Sequence, residues 1–390
     1  MHLVFATSIV PHGAPATGYE IANAAIIDAL RRAGVRVTVL GFTWPGKAPA
    51  DPNNTVVLGS VDVRTDSASA TQKATWLARA VVEGVTFASI KLRTVSRERI
   101  RAALRGIGAF DGYVLNSVQF AGAFEGLFDD KPAIFVAHNV EHRSADENAA
   151  AARDTMQRYL YRREAKLLEG LERRLCDKAS FVFTLAEEDR AELGVSMPGK
   201  STALPMITPA SRYHPACPRQ PKYDATLIGT WTWQPNRIGL DWFLEEVVPL
   251  LPSIFSIAIA GSLPAGMASR HPGVSFVGRV PDAIEFVRSG RVVPLISRAG
   301  SGVQLKSIET FELGLPAVAT SRSLRGIDNW PQNCLVADDP VEFARHLIQA
   351  AASAHDVDPS RFREEQRVAL DSRVELGLAA LRGAERRACA

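Results

Sequence analysis

The sequence predicts an α/β protein built as two Rossmann-like, doubly wound domains facing across a cleft. Three observations carry this expectation. Short apolar runs alternate with helical stretches through the first half of the chain, and apolar strands separated by helices imply a parallel sheet covered on both faces. A break at 205–224, "PMITPASRYHPACPRQPKYD", holds five prolines and few apolar residues and reads as a linker. The alternation then restarts, and 390 residues exceed one typical domain. The expected divisions are an N-terminal domain at 1–205, a second domain at 206–358, and a helical segment at 359–390 that crosses back to the first.

The elements follow in order. "HLVFAT" is the first strand; a loop with Gly13 and Gly18 leads into the helix "YEIANAAIIDALRRAG", closed by Gly34. Further strands are "VRVTVLGF", "TVVLGSV", "GYVLNS", "PAIFVAHN", "SFVFTLA" and "KSTALP", with helical stretches near 70–105, 118–127, 144–178 and 186–193. After the linker come the strand "ATLIGT", the helix "RIGLDWFLEEVVPLL", the strands "FSIAIAG" and "VSFVG", the helix "PDAIEFVRS" and the strand "VVPLIS". The helix "SGVQLKSIETFELG", the strands "PAVATS" and "NCLVAD" and the helix "DPVEFARHLIQAAASA" complete the second domain.

Composition narrows the class. Hydrophobic residues at 46% and charged residues at 22% suit a soluble protein with sizeable cores. A net charge of +3, spread along the chain, gives no electrostatic case for nucleic acid. Cys176, Cys217, Cys334 and Cys389 have no metal-ligand spacing, so no metal site is expected and a reducing compartment is the simple reading. "MHLVFATSIVPHG" lacks a basic leader and reads as a buried strand rather than a signal peptide. No run is long and apolar enough to span a membrane. The expected location is the cytoplasm; the basic amphipathic stretches 91–106 and 153–175 could rest on an anionic inner membrane face, but solvated faces of packed helices are the favoured reading of them.

The stretch 291–320, "RVVPLISRAGSGVQLKSIETFELGLPAVAT", carries the most chemistry. A strand stops at Gly300, Ser301 and Gly302, and a helix follows. Ser301 is the expected N-cap, with Gln304 completing a capping box. Ile308, Phe311 and Leu315 share the core face; Gly302, Lys306 and Glu309 share another. A helix N-terminus with glycines and one lysine suits a phosphate, and Glu309, one turn deeper, can accept hydrogen bonds from sugar hydroxyls. The alternative is a solvated i, i+3 pair. His138 ends an apolar strand and can donate to, or share a proton with, a bound hydroxyl; an interior histidine bonded to backbone is the alternative. Of three tryptophans in one stretch, Trp242 reads as core, while Trp231 and Trp233 stand just past a strand end.

"GSGVQLKSIETFELGLPAVATS" resembles the donor-site segment of family-4 glycosyltransferases, which have the GT-B fold; "GTWTWQPNRIGLDWFLEEVVPLL" resembles the opening of the same donor domain in a bacterial polysaccharide-type branch. "FVGRVPD" looks like the base-binding loop and "PAIFVAHNVEH" like the acceptor-domain strand. The resemblance implies transfer of a sugar from a UDP- or GDP-sugar to a hydroxyl acceptor, with retention and without a metal or other cofactor. It implies catalytic roles for His138, Lys306 and Glu309, and donor contacts from Gly13, Arg237, Val280, Gly300, Ser301 and Gly302. Gly18, Glu141 and His142 are implied on the acceptor side. The expected partners are a nucleotide-sugar and a glycan, lipid-linked glycan or small-molecule acceptor. In the family's Glu-x7-Glu pair, Glu309 matches the second glutamate and Ser301 stands at the first. Rival readings are a nucleotide-sugar epimerase, which needs cleft carboxylates, and a non-catalytic nucleotide-sugar-binding protein.

Overall fold

The computed structural model describes the chain except residues 14, 16, 66, 67, 153, 209–218, 301, 354, 389 and 390. The chain divides into two compact units, Met1–Pro205 with Val368–Ala390, and Met206–Arg367.

The first unit is a seven-stranded sheet whose neighbouring strands pair in parallel. Its elements are β1 (His2–Ile9), α1 (Gly18–Arg32), β2 (Arg36–Thr43), β3 (Thr55–Ser60), α2 (Ala70–Val82), α3 (Phe87–Leu92), α4 (Arg97–Ile107), β4 (Gly112–Asn116), α5 (Val118–Ala123), β5 (Ala133–Ala137), α6 (Glu141–Ala151), α7 (Thr155–Lys178), β6 (Phe181–Thr184), α8 (Glu187–Glu192) and β7 (Ser201–Ala203). The strand order β3-β2-β1-β4-β5-β6-β7 reverses direction between β1 and β4. Every residue of β1, β4, β5 and β6 is buried, as expected for strands with helices on both faces. Thr17 caps α1 in a capping box with Glu20. The stretch expected as one helix at 70–105 is three, because Thr86 and Ser96 each cap a new start. Likewise α7 starts afresh where Asp154 accepts from the Gln157 amide at 2.8 Å.

The second unit carries β8 (Tyr223–Thr230), α9 (Gln234–Trp242), β9 (Ile257–Ser262), β10 (Val274–Gly278), α10 (Ala283–Arg288), β11 (Gly290–Leu295), α11 (Leu305–Glu312), β12 (Ala317–Ala319), β13 (Cys334–Val336) and α12 (Pro340–Ser353). Its order, β10-β9-β8-β11-β12-β13, reverses between β8 and β11. The helix expected over 237–251 ends as α9 at Trp242 and continues as a π-helical turn, Phe243–Val247, and a short 3₁₀ turn, Val248–Leu250. Pro249 has no N–H to donate, so the regular α-ladder cannot run through it. Trp242 and Phe243 both pack against Phe343 of α12, which confirms Trp242 as core.

The last helix, α13 (Pro359–Ala388), starts in the second unit and belongs to the first from Val368 onward. There Leu370, Val374, Leu378 and Leu381 are fully buried, and Arg32 of α1 pairs with Asp371 at 2.6 Å. Gly377 lets the helix press on β6: a Cβ there would stand 2.4 Å from the Phe183 ring. Gly377→Leu is expected to lower stability by about 1–2 kcal/mol, because overpacking outweighs the gain in helix propensity. The denaturant midpoint measures this, and an unchanged midpoint would contradict the close packing of α13 on β6.

Candidate functional site

Ligands of open α/β sheets bind beyond the strand C-termini where the strand order reverses. In the second unit that place is a concavity between β8 and β11, lined by Ile228, Trp231, Asn236, Ser297, Gln304, Lys306, Glu309 and Glu312 among others. Lys306 and Glu309 both line it.

The concavity is built around Lys306. Its Nζ stands 4.9 Å from the centre of the Trp231 ring, a cation–π contact that favours the charged form. Trp231 is itself fixed, since its Nε1–H donates to the Ala260 carbonyl at 2.8 Å. Gly229 makes the pair possible: a Cβ there would lie 2.9 Å from both the Lys306 Nζ and the Trp231 ring. Burial lowers the Lys306 pKa to about 8, against the pull of Glu309, so the ammonium still carries its charge at neutral pH.

One turn beyond Glu309, the buried Glu312 accepts from the Thr208 amide at 3.1 and 3.2 Å and from the Thr208 hydroxyl. Arg363 at the start of α13 donates to it at 2.9 Å. Burial raises the Glu312 pKa to about 7 in spite of these donors, and Glu309 adds repulsion. Glu312 thus ties the site helix to the beginning and the end of the second unit's chain.

The helix start differs from expectation. α11 begins at Leu305, with Gln304 at the N-cap position and no side-chain cap bond. The capping box does not form because Gln304 precedes the helix. Gly302 lies in the loop before it, outside the face shared by Lys306 and Glu309; Gly300 and Gly302 both take left-handed backbone, φ 95° and 73°. Ser301 lies outside the described residues. Arg237, expected as a second cation, sits on α9 with its Nε 2.6 Å from Asp241 and is not among the residues lining the concavity. The Val280 side chain packs against the small cluster of Ala258, Ala260 and Phe286. Trp233 is exposed. Residue chemistry marked Lys306 and Glu309; the roles of Gly229, Glu312 and Thr208 were missed, because each depends on a partner distant in the chain. Gly229 alone left a signal, as a glycine at a strand end.

The first unit holds a polar network at its own reversal, between β1 and β4. His138, just past β5, is buried, with Nε2 2.8 Å from Asn116 Oδ1 and its ring tilted against Tyr19 at 4.9 Å. Asn116 donates to Thr7 Oγ1 at 3.2 Å, to the Tyr19 hydroxyl at 3.1 Å and to Asn23 Oδ1 at 2.7 Å. Burial pushes the His138 pKa down to about 4, so the ring is a neutral hydrogen-bonding group near pH 7.

Glu141 and His142 turn toward α7. The Glu141 amide donates to Glu172 at 2.7 Å, and His142 Nδ1 lies 2.6 Å from the same carboxylate, which raises the His142 pKa. Gly18 is the first residue of α1, and Gly13 has a positive φ of 51° in the loop before it. The basic stretches keep acidic company, with Arg93 on Glu83 at 2.8 Å and Arg174 on Glu125 at 2.7 Å. Among the described residues no helix is long and apolar enough to cross a membrane.

The His138 environment sets a pH dependence. The unfolded chain takes a proton near pH 6.5 and the folded ring near pH 4, so stability present above 6.5 is lost as pH falls between them. The stability difference between the protein and His138→Gln is expected to shrink from pH 7 to pH 5, measured by denaturant unfolding. A constant difference would mean that His138 ionises freely in the fold.

Residues 223–353, nearly the whole of the second unit, match the family model described as "Glycosyl transferases group 1". No curated protein is similar enough in sequence to count as a relative. Among solved structures, TarM is similar over 97% of this chain and 98% of its own, with 12% identity and a TM-score of 0.62. WaaG, described as a glycosyltransferase involved in lipopolysaccharide biosynthesis, is similar over 97% and 98%, with 14% identity and a TM-score of 0.54. Anabaena Alr3699/HepE in complex with UDP is similar over the full length of both chains, with 13% identity and a TM-score of 0.51. The chain therefore has the two-domain GT-B fold of these proteins, and residues 223–353 of its second unit are similar to the family described as "Glycosyl transferases group 1".

Proposed function

We propose that the protein transfers a sugar from a nucleotide-sugar, UDP-linked or GDP-linked, to a hydroxyl of a glycan, lipid-linked glycan or small molecule, with retention at the anomeric carbon, in glycan or polysaccharide biosynthesis. The observation that carries this reading is the concavity where Lys306, stacked on Trp231, and Glu309 converge inside the matched domain. A UDP-linked donor is favoured because the HepE structures are described in complex with UDP and with UDP-glucose.

In this mechanism the second unit binds the donor and the first unit the acceptor. The Lys306 ammonium and the amides at the start of α11 neutralise the diphosphate as the bond from the anomeric carbon to its oxygen breaks. Glu309 accepts hydrogen bonds from the ribose hydroxyls. The acceptor oxygen attacks the face the diphosphate leaves, and its proton passes to the departing phosphate. His138, neutral and held by Asn116, orients a sugar hydroxyl. Arg237 is engaged by Asp241, so the charge requirement rests on Lys306.

Two measurements test the donor half. Glu309→Ala is expected to weaken UDP binding by about 1.5–3 kcal/mol in calorimetry, the loss of a charged acceptor. Binding by the unaltered protein is expected to weaken as pH rises through about 8, where Lys306 loses its proton. Affinity indifferent to both would refute the donor assignment. Transfer is also expected to persist in excess EDTA, since Lys306 supplies the positive charge; loss in chelator restored by a divalent ion would overturn that role.

A further inference from the structure

The polar network of the first unit fixes more than the place of His138. Asn116 at the end of β4, Thr7 on β1 and Asn23 on α1 are all buried, as is His138. The partners of the Asn116 amide group divide in two. On one side its Nδ2 reaches Asn23 Oδ1 at 2.7 Å, the Tyr19 hydroxyl at 3.1 Å and Thr7 Oγ1 at 3.2 Å. On the other its Oδ1 lies 2.8 Å from His138 Nε2, its partner among the described residues.

This orientation is the one that satisfies the amide. Both N–H groups find acceptors, and the oxygen faces one ring nitrogen. Turning Asn116 alone would set its oxygen against Asn23 Oδ1, two acceptors with no hydrogen between them. Turning both amides would repair that contact but aim the two N–H groups of Asn116 at His138 Nε2, which has one lone pair to offer. A buried N–H without an acceptor is costly, whereas a carbonyl oxygen that accepts once is common. Burial keeps the His138 ring neutral near pH 7, so its single ring hydrogen sits on Nε2, facing the Asn116 oxygen, and the lone pair sits on Nδ1.

The backbone holds the same arrangement against strain. Ser117, the residue after Asn116, has a φ of 68°, and among the described residues no other non-glycine has a left-handed φ. Its amide donates to the Val136 carbonyl of β5 at 2.9 Å and its hydroxyl donates to Gln119 Oε1. Strain of this kind persists where the surroundings over-determine it, and it gathers at functional sites.

We propose that Asn116 is a positioning residue that locks His138 in the tautomer with its hydrogen on Nε2, which makes Nδ1 the acceptor atom of the ring. A sugar hydroxyl oriented by this ring then donates its hydrogen to Nδ1; that consequence rests on the function proposed above, whereas the tautomer does not. Residue type alone leaves the choice open, because a neutral histidine can donate or accept through either nitrogen.

The test uses the full-length protein with isotope-labelled histidine, observed by long-range proton–nitrogen correlation NMR at about pH 8, where an ordinary histidine is neutral. The His138 signals are those absent from His138→Gln. The unaltered protein is expected to show a protonated Nε2 and an unprotonated Nδ1; the opposite pattern would overturn the proposal. Asn116→Asp keeps an oxygen facing Nε2, so the same tautomer is expected. Asn116→Leu removes the acceptor, and the two nitrogens should move toward a mixture. Loss of the pattern in Asn116→Asp, or its full retention in Asn116→Leu, would show that Asn116 does not set the tautomer; should Asn116→Leu fail to fold, the other two spectra decide. In turnover of a UDP-sugar, Asn116→Leu should fall about tenfold or more and Asn116→Asp should recover most of the loss, with UDP affinity unchanged in both. Equal turnover in a folded Asn116→Leu would remove Asn116 from the reaction and overturn its positioning role. Failure of UDP to bind the unaltered protein would instead refute the donor reading and leave the tautomer assignment to stand on the spectra.

Discussion

The site depends on keeping one ammonium charged in a partly desolvated hollow. Burial pushes the Lys306 ammonium well below the ordinary lysine range, to about 8. Two neighbours oppose that loss, the face of the Trp231 ring and the Glu309 carboxylate. The ring holds its place through the Ala260 carbonyl, and Gly229 leaves room for both ring and ammonium. A larger residue at 229, a freely turning Trp231 or a neutral residue at 309 would each alter the same charge.

Burial acts on the other key groups in the same sense. The His138 ring is pushed toward neutrality at about 4 and the Glu312 carboxyl toward neutrality at about 7. Desolvation always disfavours the charged form, so it lowers a base and raises an acid. The consequences differ because the partners differ. His138 faces the Asn116 carbonyl oxygen and can work as a neutral donor or acceptor. Glu312 is surrounded by donors from Thr208 and Arg363, an arrangement that anchors the site helix. Lys306 alone stays mainly cationic at neutral pH, which suits it to a phosphate.

The first unit is organised by side chains that each join several hydrogen-bond partners. Asn116, at the end of β4, connects β1, α1 and the residue after β5 through Thr7, Tyr19, Asn23 and His138. Glu172 of α7 gathers the amides of Glu141 and His142 together with the His142 ring. A carboxylate that accepts several donors at once makes a strong and directional joint, and it accounts for Glu141 and His142 as supports of the loop after His138.

Much was legible in the sequence because it obeys short-range rules. Alternating strands and helices, the proline-rich break, and Lys306 and Glu309 one turn apart all follow from the pitch of a helix and the pleat of a strand. The same rules misplaced the start of α11, since a glycine-rich loop and a capping box look alike over three residues. What the tertiary structure decided is which groups meet. Glu312 bonds to Thr208, 104 residues away, and to Arg363, 51 residues away; Asn116 reaches Thr7 across 109 residues; Trp231 rather than Trp233 turns inward beneath Lys306. Such partners are chosen by strand order, which periodicity does not encode, and burial then sets their ionisation. The residue types were readable from the chain; their charges and contacts required the fold.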